Sequence, residues 1–317
     1  MAQSAHDTSL MSAPPALALD GRAAVLAWFD AARRALPFRG TRDPYGILVS
    51  EVMAQQTQIS RVGAAWTRFM ERFPTVRDLA DASPADVLRE WQGMGYDRRA
   101  LNLLRAARMI VAEHEGVVPR DVAALERLPG VGPYTARAVA SIAFGQAVGA
   151  VDTNVRRVLG RALGGVARRT RSAAWIQAAA DLAVDPRRPG DWTAALMDVG
   201  AMVCHPVSPL CEACPLQAWC AFARERLDRP VEESARLPVA SRPAPARPVG
   251  FAATTRWLRG RIVDRLRAAD GTAWVTIVGP IGSHDAPAVR DALRALARDG
   301  LIELTGDDPL RARLATA

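Results

Sequence analysis

Lysine is missing from this sequence: all 41 basic residues are arginine. No side-chain amine is therefore available to attack a carbonyl or a sugar carbon, and Schiff-base chemistry would have to use the N-terminal amine, which no motif supports. Cysteine is scarce as well. The chain has four, all between residues 204 and 220, too close together to staple distant parts of 317 residues. No apolar run reaches the length of a membrane span, and the opening MAQSAHDTSLMSAPPALALDG lacks both a basic leader and a long apolar stretch. The expectation is a flexible tail over 1–19 on a cytoplasmic protein with no membrane association. What is present is 50% hydrophobic residues, enough for real cores in two or more domains, and a net charge of +8. That excess of positive charge points to a polyanion partner.

The cysteines fall in CHPVSPLCEACPLQAWC: Cys204, six residues, Cys211, two, Cys214, five, Cys220. Such density suits one bound metal centre in a reducing compartment. Tetrahedral zinc and a [4Fe-4S] cluster both take four thiolates. Zinc sites commonly use two close pairs, so one pair with two outliers favours iron and sulfur while leaving zinc open. The bland alternative is four small buried hydrophobes.

From Asp20 to about Leu227 nearly every segment carries apolar residues at helical spacing, with stops at Pro37, Gly40, Pro74, Gly93, Gly95, Pro119, Pro129, Gly130 and Gly149. This predicts an all-α region of many short helices. In SPADVLREWQGM, Ser83 is placed to cap, Pro84 takes the first helical position, Asp86 lies in the first turn, and Val87, Leu88 and Trp91 share a face. Residues 229–249, rich in Pro, Ala and Arg, read as a linker. Beyond it, TTRWLRGRIVDRLRAA and DAPAVRDALRALARDG have helical patterns and flank the β-type run AWVTIV. LIEL, TGDDP and RARLA then make a hairpin pattern. Helix, strand, helix, hairpin predicts a winged-helix-like α/β module over 250–317, either contacting DNA or serving only to pack or bind a partner.

Three stretches carry candidate chemistry. LERLPGVGPYTARAVASIAFG sets Gly130, Val131 and Gly132 in a tight turn between two amphipathic helices, where free amides at the second helix make a seat for phosphate. It is a helix-hairpin-helix signature, or else an ordinary helix–helix turn. In AVDTNVRRVLGR, Asp152 precedes a basic helix and is either a helix cap or a functional carboxylate. In SEVMAQQTQISRV, Glu51 sits among apolar neighbours beside the uncharged polar run Gln55, Gln56, Thr57 and Gln58, side chains suited to base edges or to the gap left by an extruded base.

Together the blocks LPFRGTRDPYGILVSEVMAQQTQ, WQGMGYDRRALNL, LPGVGPYTARAVASIAFG, VDTNVRRVLGR, LMDVGAMVC and the cysteine loop stand in a familiar order. Over roughly residues 25–225 the chain resembles the A/G-mismatch adenine DNA glycosylases, the MutY branch of the helix-hairpin-helix glycosylase superfamily. The resemblance implies an all-α two-lobed core over 20–228, with a six-helix barrel lobe at about 42–152 and a cluster lobe at about 20–41 and 153–228. It implies a [4Fe-4S] cluster on Cys204, Cys211, Cys214 and Cys220 that staples a DNA-gripping loop and takes no part in catalysis. The implied activity is monofunctional hydrolysis of the N-glycosidic bond of adenine opposite 8-oxoguanine or guanine in double-stranded DNA, by a monomer. Glu51 matches the acid that protonates adenine and then handles water, and Asp152 matches the carboxylate that stabilises the cationic sugar. Tyr134 and Asn154 match residues that steady the transition state and Asp152. Gln56 and Thr57 match residues near the flipped adenine, Tyr96 a wedge beside the opposing base, and Gly130, Val131, Gly132 and Arg39 further DNA-binding positions.

Rival readings are a lyase of the endonuclease III branch, a thymine or uracil glycosylase acting on G mismatches, and a damage-sensing DNA binder without catalysis. The lyase would carry its lysine at position 134, here tyrosine. Departures from the family pattern include Phe38 for tryptophan, Ala54 for leucine, Asp97 for a second tyrosine, Thr153 for glycine, and Ala194 where an amide or carboxylate often holds adenine. The cluster loop lacks basic residues, so Arg187 and Arg188 are expected to substitute. No Nudix-like domain is recognisable in 229–317, and the terminal module is expected to add mainly phosphate contacts.

Overall fold

The computed structural model describes residues 13–165, 171–227, 250–269, 273–306 and 309–316. The linker expected over 229–249 and the tail up to residue 12 lie outside them. Within the rest of that tail, Leu17 is buried against the second core, and helix α1 already begins at Leu19, so the tail is shorter than expected.

The core is helical: α1 Leu19–Ala32, α2 Pro44–Ala54, α3 Ile59–Arg72, α4 Val76–Asp81, α5 Pro84–Glu90, α6 Arg98–Glu113, α7 Val122–Glu126, α8 Pro133–Phe144, α9 Thr153–Gly164, α10 Ala173–Ala183, α11 Pro189–Met202 and α12 Ala221–Leu227. Side chains that start helices are frequent. Asp43 accepts from Gly46 N at 2.8 Å ahead of α2, and Thr75 forms a reciprocal capping box with Asp78 ahead of α4. Ser83 accepts from Asp86 N at 3.1 Å, Pro84 opens α5, and Val87, Leu88 and Trp91 are all fully buried. The same cap and proline separate α4 from α5, so the lobe expected to have six helices contains seven helical segments, several of them one or two turns long.

Two large apolar cores result among the described residues, beside a small cluster of Trp175, Ile176 and Ala179. The first joins Ile47, Met53, Phe69, Leu88, Trp91, Leu104 and Val139 from α2 through α8, with Phe69 meeting Phe73 and Trp91 edge-on at 5.0 and 6.1 Å. The second joins Val25, Phe29, Leu159, Trp192, Leu196, Val199 and Leu216. Burying each such side chain is worth about 1.5–3 kcal/mol before chain entropy is counted.

The terminal module comprises α13 Thr255–Arg267, β1 Val275–Thr276, α14 Ala286–Arg298, β2 Ile302–Leu304 and β3 Arg311–Leu314, with an antiparallel sheet ordered β1-β3-β2. This is the winged-helix-like order the sequence predicts. Leu258, Ile262, Leu266, Leu293 and Leu296 bury one face of each helix, and these residues are continuous with the first core rather than forming an isolated one. Among the described residues no helix is long and apolar enough to cross a membrane.

Candidate active site

A cleft of about 1050 Å³ lies between the two lobes, lined by Glu51, Gln55, Gln56, Thr57, Tyr134, Asp152, Asn154, Ala194 and Met197 among others. Glu51 projects from the last turn of α2, whose neighbours Val52 and Met53 are buried. The Tyr134 hydroxyl, from the first turn of α8, donates to Glu51 Oε2 at 2.9 Å and approaches Met197 Sδ at 3.6 Å. Burial is the largest influence on Glu51 and raises its carboxyl to about 7, with nearby Asp152 pushing the same way, against the opposing effects of the Tyr134 hydrogen bond and Arg39. Burial likewise raises the Tyr134 phenol well above its ordinary range, so it is a neutral donor.

Asp152 occupies both roles the sequence left open. Its Oδ1 accepts from Val155 N at 2.6 Å as the cap of α9, while Oδ2 accepts from Asn154 Nδ2 at 2.9 Å and lines the cleft. Asn154 is oriented in turn by Arg157, which donates to its Oδ1 at 2.7 Å and to the Gly200 carbonyl at 2.6 Å. Gly200 is required there: a Cβ at this point would lie 2.5 Å from Asn154 Cβ. One cation thus fixes the amide that fixes the carboxylate.

The hairpin joins α7 to α8 through Gly130, whose φ of +83° needs glycine and whose Cβ would strike Asn102 at 2.8 Å. The amides of Gly130 and Gly132 have no acceptor among the described residues. Val131 differs: its side chain is buried and its N–H donates to the Leu128 carbonyl at 3.0 Å, so it shapes the turn and presents nothing to a phosphate. Gln55 Nε2 ties α2 to this turn, donating to the Gly130 carbonyl and Thr135 Oγ1, both at 3.2 Å. Gln56 is exposed at φ +54° and Tyr96 at φ +47°, backbone strain that their surroundings must hold.

Arg99, which lies within the block WQGMGYDRRALNL but takes no role from the sequence, supplies that hold. One terminal nitrogen donates to the carbonyls of Val52, Met53 and Gln55 at 2.8, 2.9 and 2.5 Å, covering the open end of α2. The other donates to Thr57 Oγ1 at 2.9 Å and to the carbonyls of Met94 and Gly95 at 3.1 Å each. A single guanidinium therefore joins the end of the Glu51 helix, the Gln55–Thr57 run and the turn before Tyr96. Burial lowers it to about 10, so it stays charged at neutral pH.

Other arginines prove to be structural. Arg39 donates to both oxygens of the fully buried Asp198, at 2.8 and 3.1 Å, beside Arg34, which donates at 2.6 Å. Arg39 lines the cleft, but both of its terminal nitrogens are engaged by Asp198. Arg188 pairs with Asp30 at 2.6 Å and Asp191 at 2.8 Å, so of the two arginines expected to replace loop cations only Arg187 is exposed and without a carboxylate partner among the described residues.

The four cysteines stand around one cavity rather than converging on a single point. Burial raises the Cys214 thiol to about 11 and raises Cys220 as well, with the neighbouring cysteines adding to both shifts. Thiolates here need a compensating cation. Arg161, 3% exposed, donates to Cys204 Sγ at 3.2 Å and to the His205 and Pro206 carbonyls at 2.7 and 2.8 Å, while its Nε has no hydrogen-bond partner among the described residues. Four thiols, no carboxylate or imidazole among the described lining residues, and a buried guanidinium on the rim fit an anionic iron–sulfur cluster.

Comparison with known proteins adds independent findings. Residues 49–177 match the HhH-GPD superfamily of base excision DNA repair proteins, and residues 204–220 match the iron-sulfur binding domain of endonuclease III. The adenine DNA glycosylase of Mycolicibacterium smegmatis is 43% identical over 287 residues, covering 89% of this chain and 92% of that protein. The adenine DNA glycosylase of Homo sapiens is 44% identical over 219 residues, covering 66% of this chain and 40% of that protein. Among solved structures, a thermostable thymine-DNA glycosylase superposes with a TM-score of 0.59 at 31% identity, covering 64% of this chain and 95% of its own. A trapped endonuclease III–DNA covalent intermediate superposes with a TM-score of 0.56 at 28% identity, covering 65% and 95%.

Proposed function

The chain belongs to the adenine DNA glycosylases of the HhH-GPD base excision repair superfamily, and from that premise we propose that it hydrolyses adenine from its mispair with 8-oxoguanine or guanine without cutting the strand. The observation that carries the mechanism is the pairing in one cleft of Glu51, raised to about 7 and hydrogen-bonded to Tyr134, with Asp152, held by a backbone amide and Asn154.

The two carboxyls divide the work. The flipped deoxyadenosine enters the cleft, and protonated Glu51 gives its proton to the adenine ring as the C1′–N bond breaks and the bonding pair leaves with the base. Positive charge develops on the sugar, where the Asp152 carboxylate, oriented by Asn154 and Arg157, stabilises it. Water then adds to C1′ and returns a proton to Glu51. Tyr134 orients Glu51 and offers no amine, so no Schiff-base adduct with the sugar forms. The [4Fe-4S] cluster on the four cysteines cross-links the 204–220 loop when bound.

Duplexes carrying A opposite 8-oxoguanine, A opposite G, T opposite G and U opposite G test the reading. Adenine release from the first two, with strand breaks only after alkali, is expected. Excision confined to T or U would establish the mismatch-thymine alternative, and abundant borohydride-trapped adduct not mapping to Met1 would refute hydrolysis without a covalent intermediate.

A further inference from the structure

A second cleft opens where the terminal module meets the first lobe. One wall is Gln56, Arg61 and the turn containing Tyr96 and Asp97; the other is α13. The junction is firmly built. Arg267, only 7% exposed in its side chain, donates to Asp97 Oδ1 at 2.6 Å and to the Leu88 carbonyl at 2.8 Å, and Arg259 pairs with Asp299 at the end of α14. Asp97 stands where the related sequences were expected to have a second tyrosine, and its carboxylate serves here as the anchor for the module. Replacing Arg267 leaves the Asp97 carboxylate without its cation, whereas Arg267 also has Asp264 at 3.0 Å.

From the first turn of α13, Arg256 reaches over the Tyr96 ring, its guanidinium carbon 4.7 Å from the ring centroid, while Arg99 lies 5.7 Å from the same ring. Arg256 is exposed, and neither it nor Arg61 has a carboxylate partner among the described residues. Arginines outnumber aspartates along the cleft. Gln55, Gln56 and Thr57 line both this cleft and the one containing Glu51, forming the ridge between them. A duplex opened across that ridge puts the adenine strand on the Glu51 side and its complement on the Arg256 side.

We propose that the terminal module is part of the opposing-strand seat, with Arg256 as the positioning residue that sets the Tyr96 ring. This rests on the reading of Tyr96 as the side chain beside the opposing base. Its consequence is that the module affects the choice of opposing base and does more than add phosphate contacts.

The test uses the full-length protein with Arg256→Ala, Arg256→Lys and Tyr96→Ser, measuring single-turnover excision at saturating enzyme for A opposite 8-oxoguanine and A opposite G, and affinity for a fully paired duplex. Arg256→Ala is expected to lower the ratio of the two rates about threefold to tenfold with no change in thermal midpoint, and Arg256→Lys to recover part of it. An unchanged ratio in Arg256→Ala, alone or with uniformly weaker binding to every duplex, overturns the proposal. Tyr96→Ser separates the premise from the inference. A parental ratio in that variant refutes the role of Tyr96 itself and the proposal with it, whereas a lost ratio there beside an unchanged one in Arg256→Ala refutes only the module's part.

Discussion

At Glu51 the proton needed for catalysis and the cost of burying a carboxylate meet in one atom group. The acid form is populated because burial raises the carboxyl to about 7, so the single-turnover rate is expected to fall as pH rises through that value. Glu51→Gln and Asp152→Asn should each reduce excision by about 100-fold or more while leaving duplex binding intact. Because Asp152 is also the cap of α9, Asp152→Ala is expected to lose about 1 kcal/mol of stability beyond Asp152→Asn, which can keep the cap. Linkage gives a second check. Unfolded, Glu51 titrates near its ordinary 4.5, so its folded form binds the extra proton between about 4.5 and 7. Its contribution is present in full below that window and lost as pH rises through about 7. Thermal denaturation of Glu51→Gln against the parent should therefore show the variant gaining relative stability from pH 5 to pH 8, by on the order of 3 kcal/mol.

At the scale of elements, α2 and the cysteine loop each depend on one guanidinium, half-buried in Arg99 and buried in Arg161. Arg99 covers the open carbonyls of α2 and holds the turn before Tyr96. Arg99→Gln cannot reach both groups, and is expected to lower stability by about 3 kcal/mol and to slow excision on every duplex, measured by denaturant melts and single-turnover rates. Arg99→Lys should restore little, because a point charge does not reproduce the planar fork. The loop is expected to give a brown protein with stoichiometric iron and sulfide. Metal analysis of anaerobically prepared protein showing zinc in place of iron would refute this assignment. Cys211→Ser should reduce folding yield and DNA affinity together, since the stretch around Cys211 and Cys214 has only short 3₁₀ turns of its own and Arg161 holds the loop only at Cys204, His205 and Pro206.

Across the whole molecule, the cleft between lobes is where two separately packed cores present their functional ends to one another. Its rim includes the exposed Arg156 and Arg187, neither with a carboxylate partner among the described residues. Affinity for duplex DNA should fall steeply with salt, and Arg156→Ala or Arg187→Ala is expected to reduce the log–log slope by about 1 each, with Arg188→Ala instead costing stability through its pairs to Asp30 and Asp191. The terminal module shares the first core, so it is expected to melt with the barrel lobe rather than in a separate transition.

What the sequence alone determined follows from signals that are local or chemical. The absence of lysine, the cysteine spacing and the hairpin glycines state which chemistry is available and where the chain must turn, because those properties belong to residue types and to neighbours in the chain. Helices such as α5 were legible for the same reason: cap, proline and apolar face lie within a dozen residues. Only the tertiary structure decided that Asp152 both caps and faces the cleft, that Arg39 is committed to Asp198, that Arg188 is committed to Asp30 and Asp191, and that Arg99, Arg161 and Arg267 are anchors rather than surface charges. In a chain with 41 identical cations nothing local distinguishes a surface charge from one that organises a site. That distinction depends on carbonyls and carboxylates as far as 179 and 170 positions away, as Arg267 with Leu88 and Asp97 shows, and these meet only when the cores pack.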